Sequence, residues 1–344
     1  MQIDFRLPRE WAQANQSVAQ YITGDIEPRL FQNMSAAVVE TVFGLSQLYP
    51  LKKKVFFIKN ANPLFDAAVM PLAKMGYLVT GLELSVLDDP TAFAGIVDRE
   101  CLLILYSLDD PILGRAYPVE KLEAALKEKV IVQVRLSHNA HFFSSDGALA
   151  DGDLINSIPR LAAHIYTLQP EGALALCGVR ARFGVLVADQ LAPPSERNFS
   201  WLKTPRQNAK QKILDFEKRK VAGAQPVFET ALLRDGGRVY DRAVVTWPDL
   251  DGHAVITRLA GRLNITLAEP GRENRLECTS LSRWGGVRTM DFLKTQGLSP
   301  EAIRGLVMID ADLLNAEFEK HLLAVRDSLL ADQFGGATWS TPTA

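Results

Sequence analysis

Residues 101–135 read CLLILYSLDDPILGRAYPVEKLEAALKEKVIVQVR, and this stretch decides the fold. Its first seven residues, Cys101–Ser107, are almost entirely apolar and predict a buried strand. Residues 119–128 (VEKLEAALKE) carry apolar side chains at helical spacing, and residues 130–135 (VIVQVR) predict a second buried strand. A strand, a helix and a further strand in close succession predict a unit in which the two strands run parallel.

The same alternation of strands and helices extends in both directions from this unit. The further elements predicted are strands at 54–59, 77–84, 164–168 and 173–188, and helices at 63–75 and 89–98. Gly76 ends the first of these helices as a C-terminal glycine often does. Buried strands that alternate with helices predict an α/β fold with a mostly parallel sheet covered on both faces. In such sheets, ligands bind outside the carboxyl ends of the strands.

The pattern changes in the last third of the chain. Residues 199–221 predict a long basic helix that links two domains, and residues 305–310 and 312–330 predict a strand and a closing amphipathic helix of a smaller α/β unit. We therefore predict an N-terminal arm at 1–29, a large domain at 30–222 that includes the linker helix, a small C-terminal α/β domain at 223–331, and a disordered tail at 332–344.

Composition excludes several functional classes. Hydrophobic residues make up 47% and charged residues 23% of the 344 residues, as in a globular protein with a substantial core. A formal net charge of -2 gives no electrostatic reason to expect nucleic acid or an anionic membrane as a partner. The three scattered cysteines favour buried thiols in a reducing compartment. Because we find neither a signal peptide nor an apolar run of roughly 18 to 20 residues, we expect a cytoplasmic protein.

Motifs of other enzyme classes are missing from the sequence. It contains no G-x-S-x-G, G-x-G-x-x-G or G-x-x-x-x-G-K-[ST] motif, so serine-hydrolase and nucleotide-binding chemistry lack support. His138 and His141 form an H-x-x-H pair, with Asp146 nearby. A loop after a strand does not place both imidazole rings on one helical face, so we predict no metal site.

Three segments and their order carry a resemblance to a known superfamily. Asp110 opens the turn Asp-Pro-Ile-Leu-Gly after the strand at 101–107, as an Asn-Pro-x-x-Gly-like turn does there. The next strand leads into RLSHNAH at 135–141, and Arg180 follows in a Gly-x-Arg context. With a helix that starts at Ser35, the order of elements resembles the large domain of the fold type I pyridoxal-phosphate (PLP) enzymes, the aminotransferase superfamily.

The resemblance implies a sheet of the seven-stranded type and a cofactor held as a Schiff base on one lysine. However, the sequence holds no lysine between Lys129 and Lys203. The superfamily spacing places that lysine at 171–172, where glutamate and glycine cannot form this bond. By the same alignment, Asp110 replaces an asparagine that contacts the pyridine ring oxygen, and Arg135 replaces an aspartate that pairs with the ring nitrogen.

A vestigial cleft is the site that this resemblance implies. Its residues are Ser35, Asp110, Arg135, His138, Thr167 and Arg180. His138 resembles the histidine of an Asp-Glu-Ala-His segment in the superfamily. Arg180 is a candidate to bind an anion with Ser35 and Thr167, because a helix amino terminus favours negative charge; a salt-bridged arginine on a sheet edge is the alternative. Opposite charges at neighbouring strand ends predict an ion pair between Arg135 and Asp110.

These observations predict a non-catalytic homologue, a pseudoenzyme without catalytic residues, that has lost Schiff-base chemistry. We expect no covalently bound PLP, and a small anionic metabolite or a protein as the binding partner. One alternative is an active PLP enzyme with an unusual lysine such as Lys203. Another is a PLP-independent enzyme that uses Asp110, His138 and Arg135 as acid, base and anion holder. Since superfamily members dimerise, we expect a homodimer or a heterodimer with an active relative.

Overall fold

The computed structural model divides the chain into two compact units, residues 1–205 with 236–239 and residues 206–235 with 240–344. The described residues are 26–31, 34–63, 68–110, 112–127, 129, 131–138, 161–167, 173–178, 208–229, 237–238, 240, 242–264, 276–278 and 287–335. Residues 1–25 of the arm predicted at 1–29 and residues 336–344 of the tail predicted at 332–344 lie outside the described residues, whereas residues 26–29 belong to a strand and residues 332–335 to a helix.

The strands and helices are numbered here in chain order. The strands are β1 (Ile26–Phe31), β2 (Lys54–Ile58), β3 (Leu78–Leu82), β4 (Cys101–Ser107), β5 (Arg115–Ala116), β6 (Val132–His138), β7 (Leu161–Thr167), β8 (Ala173–Gly178), β9 (Gln225–Pro226), β10 (Gly237–Arg238), β11 (Arg242–Thr246), β12 (Leu276–Cys278) and β13 (Leu306–Asp310). The α-helices are α1 (Met34–Leu48), α2 (Met70–Lys74), α3 (Thr91–Ile96), α4 (Glu120–Leu126), α5 (Ala209–Arg219), α6 (Gly252–Leu263), α7 (Val287–Thr295), α8 (Pro300–Arg304) and α9 (Ala316–Gly335).

The first unit is built around a seven-stranded sheet, whose described strands have the order β1-β8-β7-β6-β4-β2-β3. The pairs from β7 through β6, β4 and β2 to β3 are all parallel. Strand β8 is antiparallel to both β7 and β1, so among the described strands of this sheet it alone runs against the rest. The prediction of an α/β fold with a mostly parallel sheet is confirmed.

Both faces of this sheet are covered by apolar side chains. Successive residues of a strand point to opposite faces, so a strand that is apolar throughout needs two covers. In β4, Leu103 belongs to the cluster that contains Val38 of α1, whereas Ile104 belongs to the cluster that contains Leu122 of α4. The unbroken apolar run of β4 is therefore explained by burial of all seven of its residues.

The second unit has an antiparallel sheet, with described strands in the order β12-β13-β11-β9. Its core contains Trp247 and, from α9, Phe318. We predicted α5 as a linker helix at the end of the large domain, but Ile213 and Phe216 of α5 are fully buried in this second core. The reason is that its apolar residues recur on one side of an otherwise polar helix, and burial of that side requires a core beside it.

Three element boundaries differ from the prediction. The strand predicted at 130–135 continues to His138 as β6, because its polar last residues pair with β7. The helix predicted at 63–75 is described over Met70–Lys74, with Pro71 in its first turn, where the missing N–H is tolerated. The strand predicted at 173–188 is described as β8 up to Gly178, and the remainder lies outside the described residues. Over the described ranges, no helix is both long and apolar enough to cross a bilayer.

Candidate functional site

The strands of the seven-stranded sheet that run in the common direction end at one edge, which we call the carboxyl edge. Phe31 of β1 pairs with Ala173 of β8, which also pairs with Thr167 of β7. Thr167 pairs in turn with His138, the last residue of β6. The structure therefore brings two predicted site residues, His138 and Thr167, side by side at the position where ligands bind in sheets of this kind.

Helix α1 begins at the carboxyl edge, because Met34 follows Phe31 by only three residues. The helix begins at Met34, one residue before the start that we predicted, so Ser35 is its second residue; Ser35 is half-buried and lies in the first turn. The N–H groups of a first helical turn have no acceptor within the helix and attract anions. Ser35 thus joins His138 and Thr167 at this edge.

Asp110 holds together the turn that follows β4. One of its carboxylate oxygens accepts the backbone N–H groups of Ile112 at 3.0 Å and Leu113 at 2.5 Å, and the other accepts that of Arg115 at 2.9 Å. Gly114 completes the turn with φ at 70°, a conformation that glycine adopts without strain. Both carboxylate oxygens accept hydrogen bonds from backbone N–H groups, so the side chain of Asp110 stabilises its own turn.

The environment of Asp110 is dry. Burial raises its pKa to about 7, because loss of hydration disfavours the charged carboxylate. The three backbone N–H donors act in the opposite direction, while the charge of the neighbouring Asp109 adds to the rise. Asp110 is fully buried, so it is not a side chain that lines an open cleft.

Arg135 lies three residues inside β6, with its side chain under helix α4. Its Nε donates to Glu123 Oε1 at 2.7 Å, and its terminal nitrogen forms an ion pair with the same carboxylate. Tyr106 donates to that carboxylate as well, at 2.7 Å. The ion pair we predicted between Arg135 and Asp110 is not formed in the described structure, since each group is bound to other partners.

Arg180 itself lies outside the described residues. Gly178, two residues before it, ends β8 and pairs with Ile26 at the start of β1. Because β8 runs against the other strands, its end lies at the edge opposite the carboxyl edge. The described end of β8, Gly178, therefore lies at the other edge of the sheet from His138 and Thr167.

The sequence prediction missed a buried hydrogen bond between neighbouring strands. Ser137 Oγ of β6 and His164 Nε2 of β7 lie 2.9 Å apart, and both side chains are buried. They share the sheet face of Arg135, which pairs with His164 in register. A polar residue at every second position of β6 was the available signal, because such alternation places polar groups on one face.

The carboxyl edge has no lysine at the position that the resemblance implies, but it has one elsewhere. The connection from β7 to β8, residues 168–172, reads LQPEG and contains none. Lys59 directly follows β2, and its Nζ forms an ion pair with Glu83 at 2.5 Å. Lys59 is about 40% exposed, so it is an accessible amine at the end of a parallel strand.

A metal has no site in the described part of the chain. No group of three or more His, Cys, Asp or Glu side chains there is arranged to hold an ion. His141 and Asp146, the neighbours of His138 in the H-x-x-H segment, lie outside the described residues.

Comparisons with known proteins agree on the fold. Neither a protein-family model nor a curated protein sequence matches the chain. Among solved structures, a NifS-like protein is similar with a TM-score of 0.60 and 11% identity, over 94% of this chain and 88% of that protein. A cysteine desulfurase from Thermococcus onnurineus NA1 gives 0.57 and 13%, over 94% and 84%. An alanine–glyoxylate aminotransferase from Nostoc sp. gives 0.55 and 12%, over 93% and 86%.

These similarities correct the prediction that the chain has no PLP cofactor. That prediction relied on the missing lysine, whereas the solved structures with this fold belong to a class of PLP-dependent enzymes, so the expectation that PLP is absent is withdrawn. Among the described residues, Ser35 in the first turn of α1 fits the phosphate of this group. Asp110 and Arg135 are bound to other partners and do not fit its ring. The architecture of this chain is that of the fold type I PLP-dependent transferases.

Proposed function

We propose that this protein binds PLP at the carboxyl edge and does not catalyse the transfer reactions of the enzymes that share its fold. The proposal is carried by the composition of that edge. Thr167 and His138 are paired at that edge, and Ser35 is in the first turn of the helix that begins there, but the sequence supplies no lysine between Lys129 and Lys203. When joined to a lysine, PLP supplies an electron sink for amino-acid chemistry, and that use of the cofactor needs an amine within reach.

The first turn of α1 supports binding of a phosphate. A helix of 15 residues has aligned peptide dipoles, and its free N–H groups face the carboxyl edge beside β1. The hydroxyl of Ser35 adds a donor there. A ligand that carries a phosphate, such as PLP, is therefore expected to bind more tightly than the same ligand without it.

Two further features support the loss of transferase activity. Asp110 stands where the resemblance expects a ring-contacting asparagine, but its carboxylate is occupied by three backbone N–H groups. Arg135 stands where it expects the partner of the ring nitrogen, but its guanidinium is bound to Glu123. Neither side chain is therefore available to hydrogen-bond or pair with a pyridine ring. A bound ring would lack both of these contacts as well as the lysine.

One alternative is an active PLP enzyme that takes its lysine from another part of the chain. The position of Lys59 supports this alternative, because Lys59 follows β2 at the carboxyl edge and its side chain is about 40% exposed to solvent. Lys203, which lies outside the described residues, is the other candidate. By contrast, a PLP-independent enzyme that uses Asp110 and Arg135 as acid and anion holder loses support, because both groups are bound within the fold.

The proposal is tested by binding and by turnover. PLP, pyridoxal without phosphate, and inorganic phosphate are titrated into the protein by calorimetry, and we expect PLP to bind at least about tenfold more tightly than pyridoxal. Ser35→Asp places a carboxylate in the first turn of α1 and is expected to weaken PLP binding by about tenfold or more through repulsion. Gln47→Asp, which adds the same charge at an exposed position at the opposite end of α1, is the control.

Turnover separates the proposal from its alternative. The PLP-loaded protein is mixed with a panel of amino acids and 2-oxo acids, and no amino transfer or release of sulfur is expected. Borohydride reduction followed by peptide mapping then identifies any lysine attached to PLP. Attachment at Lys59 or Lys203, together with amino-acid-dependent turnover that is lost in the corresponding Lys→Ala variant, would establish an active enzyme.

Association with a second chain is part of the proposal. We expect a homodimer, or a heterodimer with an active relative, because the superfamily that the chain resembles forms dimers. Light scattering after size exclusion measures the mass of the purified chain. A mass of about 38 kDa at all concentrations would leave only the heterodimer open.

A further inference from the structure

A corner of the first unit exposes large apolar side chains at the edge of the sheet opposite the carboxyl edge. Helix α1 ends at Leu48, and the chain turns through Tyr49 and Leu51 before β2 begins at Lys54. Leu51 is 90% exposed and Leu48 is 51% exposed. Exposure of single leucines is common, but several together indicate a contact surface.

The turn before β3 contributes to the same surface. Met75 and Leu78 are 41% and 60% exposed. The backbone N–H of Leu78 donates to the carbonyl of Lys53 at 2.9 Å, so the two turns lie side by side. We call this surface the amino-edge corner, and its residues are Leu48, Tyr49, Leu51, Lys52, Lys53, Lys74, Met75 and Leu78.

The amino-edge corner is basic as well as apolar. The sequence between Glu40 and Glu83 holds five lysines and a single acidic residue, Asp66, which lies outside the described residues. The Nζ of Lys52 lies 5.2 Å from the ring centre of Tyr49, and the Nζ of Lys53 lies 5.4 Å from the ring centre of Tyr77. Contacts of this kind hold the ammonium groups close to the apolar surface.

Acidic groups from the neighbouring segment reduce this positive charge only in part. Asp98 and Glu100 approach the corner, and both bind the Nζ of Lys54, at 2.5 Å and 2.9 Å. Lys54 is paired with these two carboxylates; Lys52, Lys53 and Lys74 add three positive charges to the same part of the chain, so four lysines against two carboxylates leave a local excess of two positive charges. The expected occupant is therefore anionic and able to accept apolar side chains.

We propose that the amino-edge corner docks on the surface of an anionic lipid bilayer. Leu51 would enter the boundary between headgroups and acyl chains, while Lys52 and Lys53 would contact lipid phosphates. A lipid surface is favoured over a protein pocket because Leu51 is the most exposed of the large apolar side chains described, at 90%, and two lysines follow it directly in the sequence. The turn needs no new backbone partner, since Lys52 N–H already donates to the Tyr49 carbonyl at 3.0 Å.

The net charge of -2 averages over the whole chain, so it does not exclude an anionic membrane as a partner of the amino-edge corner. Membrane docking depends on charge within about one Debye length of the surface, roughly 8 to 10 Å, so a local excess decides the outcome. The amino-edge corner lies opposite the carboxyl edge of the same sheet. Docking is therefore independent of PLP binding, and either proposal can fail without the other.

The test is co-sedimentation of the full chain with vesicles, one set of phosphatidylcholine alone and one with about a third phosphatidylserine. We expect at least about tenfold stronger partitioning into the anionic vesicles, with a decrease as salt is added. Lys52→Gln/Lys53→Gln and Leu51→Ser are each expected to lower that partitioning by about tenfold. The matched controls are in the second unit, and Lys218→Gln/Lys320→Gln and Leu323→Ser are expected to bind like the unmodified chain.

Three results would overturn the proposal. The first is an absence of binding to anionic vesicles. The second is equal binding to both kinds of vesicle. The third is a loss of binding that is the same in the control variants as in the corner variants. If Leu51→Ser instead removes concentration-dependent self-association while no vesicle binding is seen, the amino-edge corner is a contact between two copies of the chain and lipid is excluded.

Discussion

At the residue scale, protonation of Asp110 in the turn after β4 makes the free energy of unfolding depend on pH. Its pKa in the folded chain is about 7, against an ordinary value of 3.8, so the folded state binds a proton more tightly than the unfolded state. The stability that this proton provides is fully present below pH 4 and is lost as the pH rises through 7. At about 1.36 kcal/mol per pKa unit, Asp110 alone lowers the free energy of unfolding by roughly 2 to 4 kcal/mol between these limits.

Asp110→Asn tests this coupling. The amide cannot titrate, and its NH2 group faces the N–H of Arg115, so we expect the variant to be less stable than the unmodified chain at pH 4.5 by about 1 to 3 kcal/mol. That difference should shrink or change sign at pH 8. Urea unfolding at both pH values measures it, with Asp88→Asn at an exposed position as the control. A difference that does not vary with pH would show that Asp110 is ionised throughout this range.

The part played by single residues could be predicted from the sequence only in part. The turn that begins at Asp110 was recognised, because its spacing to Gly114 resembles a known pattern. The partner of Arg135 was not recognised. Glu123 lies 12 residues earlier, on α4, and meets Arg135 only because that helix packs on the face of β6 that carries the guanidinium. A contact of this kind depends on how an element is rotated about its axis, which apolar spacing constrains loosely.

At the element scale, Gly305 sets how closely β13 approaches the chain after β11. A Cβ built on Gly305 would lie 1.9 Å from the carbonyl oxygen of Trp247, a backbone atom that cannot move aside alone. Gly305→Ala must therefore displace one strand end, and we expect a loss of at least about 2 kcal/mol in the free energy of unfolding. Gly261→Ala is the matched control, since nothing lies within 4 Å of its Cβ and alanine favours a helix by about 0.5 to 1 kcal/mol. Equal stability of the two variants would refute this account.

The strands could be predicted better than their ends. Strand β4 and most of β6 follow from apolar runs, because both faces of a parallel sheet are buried. The end of β6 was missed since Ser137 and His138 are polar, and polarity is the signal for the end of a buried strand. The strand continues because Ser137 bonds to His164 and because its backbone pairs with β7. The carboxyl edge therefore lies three residues beyond the predicted end, which moves Arg135 away from the site.

At the scale of the whole molecule, the order of elements was sufficient to indicate the fold, although no sequence comparison gives a match. Strand order and direction depend on many weak sequence preferences that favour the same fold. They are therefore similar in solved structures that share only 9–13% sequence identity with this chain. The function of a site depends on a few side chains, which change independently of the fold. This is why the fold could be predicted from the sequence, whereas the cofactor prediction drawn from one missing lysine needed correction.

The two units have separate core clusters, and this has a measurable consequence. Phe318→Ala removes a fully buried ring from the core of the second unit, where it lies 6.4 Å from the ring of Phe216, and should cost about 3 to 5 kcal/mol there. Hydrogen exchange of backbone amides is expected to accelerate in β11 and β13 and to remain unchanged in β4 and β6. Leu122→Ala, in the core of the first unit, should give the converse pattern. Faster exchange in all four strands for either variant would mean that the units unfold together, because stability lost from one core would then be lost by the whole chain.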